Sequence, residues 1–271
     1  MRQTFDDRMK ELSEEKSRRI RLNVARLDPK RGKDYAEVVF LGDVHYGSPQ
    51  CDVPRFKAML KYCLDKKISV LLMGDMLEMA TRDSIGAGVY EQEGIGQSQF
   101  EAMVEMLAPL AKAKLIIGLL NGNHEERVYN STGIDISKVM AKELGVPYLQ
   151  NASWNLFRVG SQSYSVYALH GRTGARFDGT VLKAVENVAN SFYADVVAMG
   201  HAHKKVSGEV MVEGIFNGRV VQKKKFIVVT GSYLKYDGGY WQKTGGQISK
   251  LGSPKIKFFS NHIPIFWYLK I

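Results

Sequence analysis

Five short clusters in this chain carry residue types that hold cations. They are Gly42-Asp43-Val44-His45, Gly74-Asp75-Met76-Leu77-Glu78, Gly122-Asn123-His124-Glu125, His170 with Gly171, and Gly200-His201-Ala202-His203. Five of the six histidines fall in these clusters, and only His262 lies outside. A lone strand-end histidine is usually a hydrogen-bonded structural residue, but a separate structural explanation for each of the five is a poorer account than a shared cation. Asp, Asn and imidazole, with no cysteine among them, suit hard or borderline divalent ions such as Mn²⁺, Fe²⁺, Zn²⁺ or Ni²⁺. Seven potential ligands are present: Asp43, His45, Asp75, Asn123, His170, His201 and His203. That is too many for one ion that keeps an open position, and it suits two ions sharing a bridging carboxylate.

The clusters follow apolar runs that read as strands. Val38–Leu41, Val70–Met73 and Leu115–Leu120 are short and strand-sized, and helical patterns follow each of them. Phe56, Met59, Leu60, Cys63 and Leu64 share one helical face, which makes Cys63 a core thiol. A second helix is expected over Gln99–Lys112, and a third over Ile134–Leu144, ended by Gly145 with Pro147 beyond. Strands alternating with helices predict a parallel α/β sheet, whose carboxyl edge is where ligands bind. At an extended strand end, Asp43 and His45 would project to the same side, and so would His201 and His203.

Beyond Pro147 the pattern turns richer in antiparallel β. Asn155–Val159 and Tyr164–Leu169 flank Gly160-Ser161-Gln162, and Val210–Phe216 and Val220–Val229 flank Asn217-Gly218, a strong hairpin signal. A helix over Leu182–Phe192 and a strand over Val196–Met199 lie between these pairs. The segment Ala80–Ser98 has four glycines and no clear period, as expected of a functional or mobile loop. At the start, Phe5–Ser17 reads as an amphipathic helix, and Ile20, Leu22 and Val24 alternate as in a strand. Residues 1–35 are therefore expected to form a basic N-terminal arm, a binding arm or a solvated face, ahead of one domain over 36–271 with a β-rich tail.

The chain has 271 residues, 45% of them hydrophobic and 24% charged, which excludes disordered and collagen-like classes. No apolar run approaches the ~18 residues of a membrane helix, and the N-terminus shows no apolar signal region, so a cytoplasmic location is expected. Cys51 and Cys63 are too few for a disulfide framework. The net charge of +10 suits a polyanionic partner, nucleic acid being the commonest.

In order and spacing, the five clusters resemble those of the calcineurin-like metallophosphoesterase superfamily. The resemblance covers roughly Glu37 to Tyr233. The general look is that of small phage or prophage members and, more distantly, of repair exonucleases. It implies an α/β fold of two packed β-sheets flanked by helices, a four-layer αββα sandwich, with two divalent ions at its edge, Mn²⁺ foremost. Position by position, one ion would be held by Asp43, His45, Asp75 and His203. The other would be held by Asp75, Asn123, His170 and His201. Two ions bring +4, while Asp43, Asp75 and a bridging hydroxide bring −3, which leaves about +1 to meet a phosphate. In-line attack by that hydroxide needs a proton for the leaving oxygen, and His124 is the candidate acid. The family's protein phosphatases place a carboxylate at the position of Glu78, which would orient the His124 imidazolium and raise its pKa.

Those phosphatases carry Arg where this chain has Met79 and Asn121, so two guanidiniums suited to a dianionic monoester are missing. A monoanionic diester needs fewer, and Arg127 and Arg172 stand near the motifs to grip phosphate. The expected substrate is a phosphodiester in nucleic acid. The alternatives are a small nucleotide or a broad range of phosphate esters, and a non-catalytic nucleic-acid-binding module ranks below both. Lys204, Lys205 and Lys223-Lys224-Lys225, with Tyr233, Tyr236, Tyr240 and Trp241, are candidate phosphate and base contacts. They read equally as charges that protect a sheet edge.

Overall fold

The computed structural model describes residues 21–30, 32–82, 84, 88–175, 177–216, 218–238, 242 and 247–261. The helix expected over Phe5–Ser17 lies outside these residues, as do Asn217, Tyr240, Trp241 and His262. The strands are β1 (Arg21–Arg26), β2 (Tyr35–Leu41), β3 (Ser69–Leu72), β4 (Ile116–Leu119), β5 (Ala152–Val159), β6 (Gln162–Leu169), β7 (Val196–Met199), β8 (Ser207–Phe216), β9 (Arg219–Val229) and β10 (Lys255–Phe259). The helices are α1 (Val53–Asp65), α2 (Gly88–Glu91), α3 (Gly96–Lys112), α4 (Asn123–Thr132), α5 (Ile136–Leu144) and α6 (Asp178–Asn190).

One sheet has four strands in the order β10-β2-β3-β4, with β2, β3 and β4 parallel and β10 antiparallel. The other has six, β1-β5-β6-β7-β9-β8, in which β6, β7 and β9 run parallel. Alternate residues of each strand serve different layers, because successive side chains leave opposite faces. On β2, Val38 and Phe40 meet Phe157, Val166, Ala198 and Phe258 in the layer between the sheets. Val39 and Leu41 face the other way, against Phe56, Leu60, Met103 and Leu107 of α1 and α3. Val197, Ile227 and Val229 on the outer face of the six-stranded sheet pack on Val181, Val185 and Ala189 of α6. The result is helices, sheet, sheet, helix: the four layers expected.

The predicted strands and the two hairpins form where expected, within a few residues. Three readings need correction. A helix begins at Asn123, where only a strand-end cluster was read, and the described part of Ala80–Ser98 is not structureless. It holds α2 and the first turn of α3, tied down by Gln99, whose carboxamide accepts the Met79 N–H (3.0 Å) and donates to Gln92 Oε1 (3.0 Å). Beyond Pro147, parallel pairs (β1/β5, β6/β7, β7/β9) sit alongside the expected antiparallel ones. Among the described residues, no helix is long and apolar enough to cross a membrane.

Candidate metal centre

All five clusters converge because parallel strands of both sheets end at one edge. β2, β3 and β4 deliver Asp43 and His45, Asp75, and Asn123; β6 and β7 deliver His170, and His201 and His203. The backbone there is not extended, as the strand-end reading assumed. Asp43, His45, Asp75, His201 and His203 have φ of 51°, 52°, 49°, 65° and 53°, in the left-handed region. Each such residue costs on the order of 1–3 kcal/mol. Cross-loop bonds hold the conformation: Asp43 N–H donates to Gly74 O (3.0 Å), and Val44 and His45 N–H both donate to Asp75 O (2.8 and 3.0 Å). The paired projection of Asp43 and His45 therefore comes from two left-handed turns.

Two donor sets result. In the first, His45 Nε2 lies 3.0 Å from His203 Nε2, His203 Nε2 lies 3.4 Å from Asp43 Oδ1, and His45 Nε2 lies 3.7 Å from Asp75 Oδ2. In the second, Asn123 Oδ1 lies 3.0 Å from His170 Nε2 and 2.6 Å from His201 Nδ1, and His170 Nε2 lies 3.3 Å from Asp75 Oδ2. Ligands about 2.1 Å from one ion sit roughly 3 Å or more from each other. Every separation here fits that except Asn123 Oδ1 to His201 Nδ1, a 2.6 Å contact that would have to open to admit an ion between them. Asp75 Oδ2, shared by both sets, is buried and takes no hydrogen bond among the described residues. Asp43, His45, Asp75 and His203 form one group able to hold an ion, and Asp75, His170 and His201 another.

The surrounding bonds aim these atoms. His170 Nδ1 donates to Met73 O (2.8 Å), which turns the Nε2 lone pair inward. Asp75 Oδ1 accepts His124 N–H (2.9 Å) at the start of α4, leaving Oδ2 for the two sets. Asp43 accepts His201 N–H on both oxygens (3.0 and 3.1 Å) and the Thr230 hydroxyl (3.2 Å). Glu125, quoted in the motif but given no role there, accepts the backbone N–H of Asp75 (3.1 Å) and of Leu77 (3.0 Å). Its position two residues after the candidate ligand Asn123 was the only sequence signal for it; Thr230 had none. Gly122 is required by close approach, since a Cβ there would overlap Asp75 N and Oδ1.

The carboxylates and imidazoles hold one another's charge. Burial pushes the Asp43 and Asp75 carboxyls up, but the neighbouring imidazoles outweigh it and leave both below the ordinary value, Asp75 well below. Burial pushes His170 down, yet Asp75 and Asp43 lift it to about 10. Carboxylates and imidazoles that stabilise positive charge among themselves in this way have the electrostatics of a cation site.

Four layers around a centre assembled from these motifs at one strand edge decide the fold-level likeness. The chain resembles the calcineurin-like metallophosphoesterases. No family model matches it, and no curated protein does. Among solved structures, a metallophosphoesterase from Sphaerobacter thermophilus is 12% identical, with 83% of each chain covered and a TM-score of 0.39. A conserved uncharacterised protein of Streptococcus pneumoniae, described as a predicted phosphoesterase, is 12% identical, with 83% of each chain covered and a TM-score of 0.38. A double mutant of Vps29 from Entamoeba histolytica is 15% identical over 82% of this chain and 84% of its own, with a TM-score of 0.35.

The residues expected to move protons and grip phosphate are placed less simply. His124 Nδ1 bonds the Glu78 backbone carbonyl (2.8 Å), while the Glu78 carboxylate lies nearer His45 Nδ1 (3.2 Å) than His124 Nδ1 (3.6 Å). Glu78 therefore braces His45 first. Burial pushes the His124 imidazole down to about 4, and the pull of Asp75 and Glu78 does not offset it. Arg127 lies against the same ring, with Nη2 3.0 Å from His124 Nε2. Arg172 is exposed, two residues past His170.

Of the basic and aromatic set, Tyr233, Lys204 and Lys225 are buried, and Lys205, Lys223, Lys224 and Tyr236 reach the surface. Tyr233 is fully buried and cannot stack on a base. Lys204 is buried 3.5 Å from Asp178, and buried Lys225 donates to Ala189 O (2.8 Å) and Phe192 O (2.6 Å) at the end of α6. Lys224 pairs with Glu209 (2.9 Å), and Lys223 sits over the Tyr193 ring. Tyr236 is half-buried. Lys205 faces a cleft.

Proposed function

We propose that the chain is a metal-dependent phosphoesterase that hydrolyses phosphodiester bonds, with nucleic acid as its substrate class. One observation carries this reading: a single buried oxygen, Asp75 Oδ2, faces His45 Nε2 at 3.7 Å and His170 Nε2 at 3.3 Å. Asp43, His45, Asp75 and His203 would hold one ion, and Asp75, Asn123, His170 and His201 the other, with Mn²⁺ as the proposed metal. Such a pair, when bound, makes water a competent nucleophile near neutral pH and neutralises the phosphate oxygens.

The chain's own groups orient the substrate. With His124 Nδ1 taken by the Glu78 carbonyl, Nε2 is the nitrogen left to carry a proton to the leaving oxygen. A phosphate in the site draws Arg127 onto its oxygens and away from that nitrogen, and its negative charge raises the nitrogen's proton affinity. Arg172 is the second proposed grip. Diester preference follows from the two positions without charge: Met79 is buried, and Asn121 is engaged by Asn151 (3.1 Å) and Ser137 (2.8 Å).

The test compares bis-nitrophenyl phosphate, nitrophenyl phosphate and labelled single- and double-stranded DNA in the presence of Mn²⁺. Cleavage of the diester and of DNA is expected. Turnover of the monoester alone would contradict the diester reading, and turnover of small nucleotides without DNA would narrow it to a nucleotide phosphodiesterase.

A further inference from the structure

A cleft of about 430 Å³ opens between the first turns of α1 and the loop Leu251–Ser253, and none of its lining residues is a candidate ligand. Met59 and Tyr62 of α1 line it with apolar surface, and Arg55 and Lys205 bring two positive charges to it. The one acid there, Asp52, is already engaged: it caps α1 through the Arg55 N–H (3.2 Å) and meets Arg55 Nε at 3.3 Å. Lys205 Nζ donates to a neutral group, Leu251 O (3.1 Å), and among the described residues no carboxylate pairs with it. The charges that reach Lys205 come from Arg55 and Lys250, and both are positive. Two cations, Arg55 and Lys205, line the cleft against one acid that Arg55 already engages. Lys250, next to the lining residue Leu251, adds positive charge felt by Lys205, which leaves the cleft electropositive.

The cleft adjoins the metal centre through the backbone. Lys205 is two residues past His203, and Gly252 N–H donates to Ser232 O (2.8 Å). Ser232 Oγ in turn donates to the carbonyl of Asp43 (3.1 Å). A strand with one phosphate at the metals has further phosphates and bases spaced along it, and each needs a positive group and an apolar or aromatic face.

We propose that this cleft is a second phosphate-binding site, taking a phosphate and adjoining base of a single-stranded nucleic acid held beside the metal centre. The phosphate meets Lys205 and Arg55, and the base lies on Tyr62 and Met59. The proposal rests on the nucleic-acid reading above and adds where the strand is held.

The test is fluorescence anisotropy of a labelled twelve-nucleotide single-stranded DNA with the full chain, in EDTA so that nothing is cleaved, over a series of salt concentrations. Lys205→Ala and Arg55→Ala should each weaken binding about three- to tenfold. Each should also lower the salt slope by about 0.7, the signature of one lost contact to a single strand. Lys250→Glu, an exposed rim change that leaves the buried groups alone, should weaken binding in the same direction. Lys183→Ala, on the distant face of α6, should not alter it. Wild-type affinity in both the Lys205 and Lys250 variants, or no binding by the wild type, overturns the proposal. Wild-type hydrolysis of bis-nitrophenyl phosphate is measured separately. Hydrolysis with unchanged variant binding removes the cleft alone; weakened variant binding without hydrolysis removes the phosphoesterase reading alone.

Discussion

Glu125 shows how much of a metal site lies outside its ligands. Its two oxygens accept the N–H groups of Asp75 and Leu77, so one side chain on α4 fixes the loop that presents the shared carboxylate. Gln can accept only one such bond and presents a donor to the other amide. Glu125→Gln should therefore lower Mn²⁺ affinity about 10–100-fold, the usual cost of a lost supporting group, as read by isothermal titration calorimetry. Glu78→Gln offers a contrasting case. Its carboxylate lies 3.2 Å from His45 Nδ1, so the variant should weaken ion binding more than it reshapes the pH–rate profile. A profile shift with unchanged ion affinity would return Glu78 to the role of partner to His124.

At the scale of elements, strand ends and glycines do the positioning. A Cβ on Gly122 would overlap Asp75 and come within 2.5 Å of Glu125 Oε2. Gly122→Ala should therefore lose ion binding and about 1–3 kcal/mol of stability, the range for overpacking, measurable by denaturant unfolding with and without Mn²⁺. On β2 and β10 the buried Glu37 carboxylate meets Lys255 Nζ (2.8 Å) and Lys30, while Lys255 also meets Tyr62 Oη (2.8 Å). Burial pushes Glu37 up, but the two lysines outweigh it and hold the carboxyl below its ordinary 4.5. Its stabilisation is full above pH 4.5 and is lost as pH falls through the lower folded value. Glu37→Gln should cost about 3–5 kcal/mol at pH 7 and remove that part of the acid limb.

The sequence made β2, β3, β4 and β7 legible because parallel strands buried on both faces are continuous apolar runs. Each of the four is followed by a Gly and then a ligand type, whereas β6 is mixed in polarity and runs straight into His170. α4 was not legible: Asn123–Thr132 is almost wholly polar and shows no apolar face. Nor could spacing reveal left-handed backbone at five ligand positions, since the residues that adopt it are not glycines. The fates of Tyr233 and Lys225 depend on which face of a strand meets a helix, which only tertiary packing decides.

The molecule as a whole is a device for bringing the ends of two sheets together. Neither sheet alone holds a complete donor set: Asp43, His45 and Asp75 follow strands of one, and His170, His201 and His203 follow strands of the other. An ion held by either proposed set would therefore bridge the sheets, and Mn²⁺ should raise the melting temperature, with the gain growing as ligand concentration exceeds Kd. The most direct test of the account is a metal count by equilibrium dialysis and elemental analysis. The wild-type chain should take up about two Mn²⁺ per molecule, and Asp75→Asn, which alters the one oxygen facing both sets, should lose both together with diester hydrolysis. A chain that binds no divalent ion, or an Asp75→Asn variant that keeps the full complement, would contradict it.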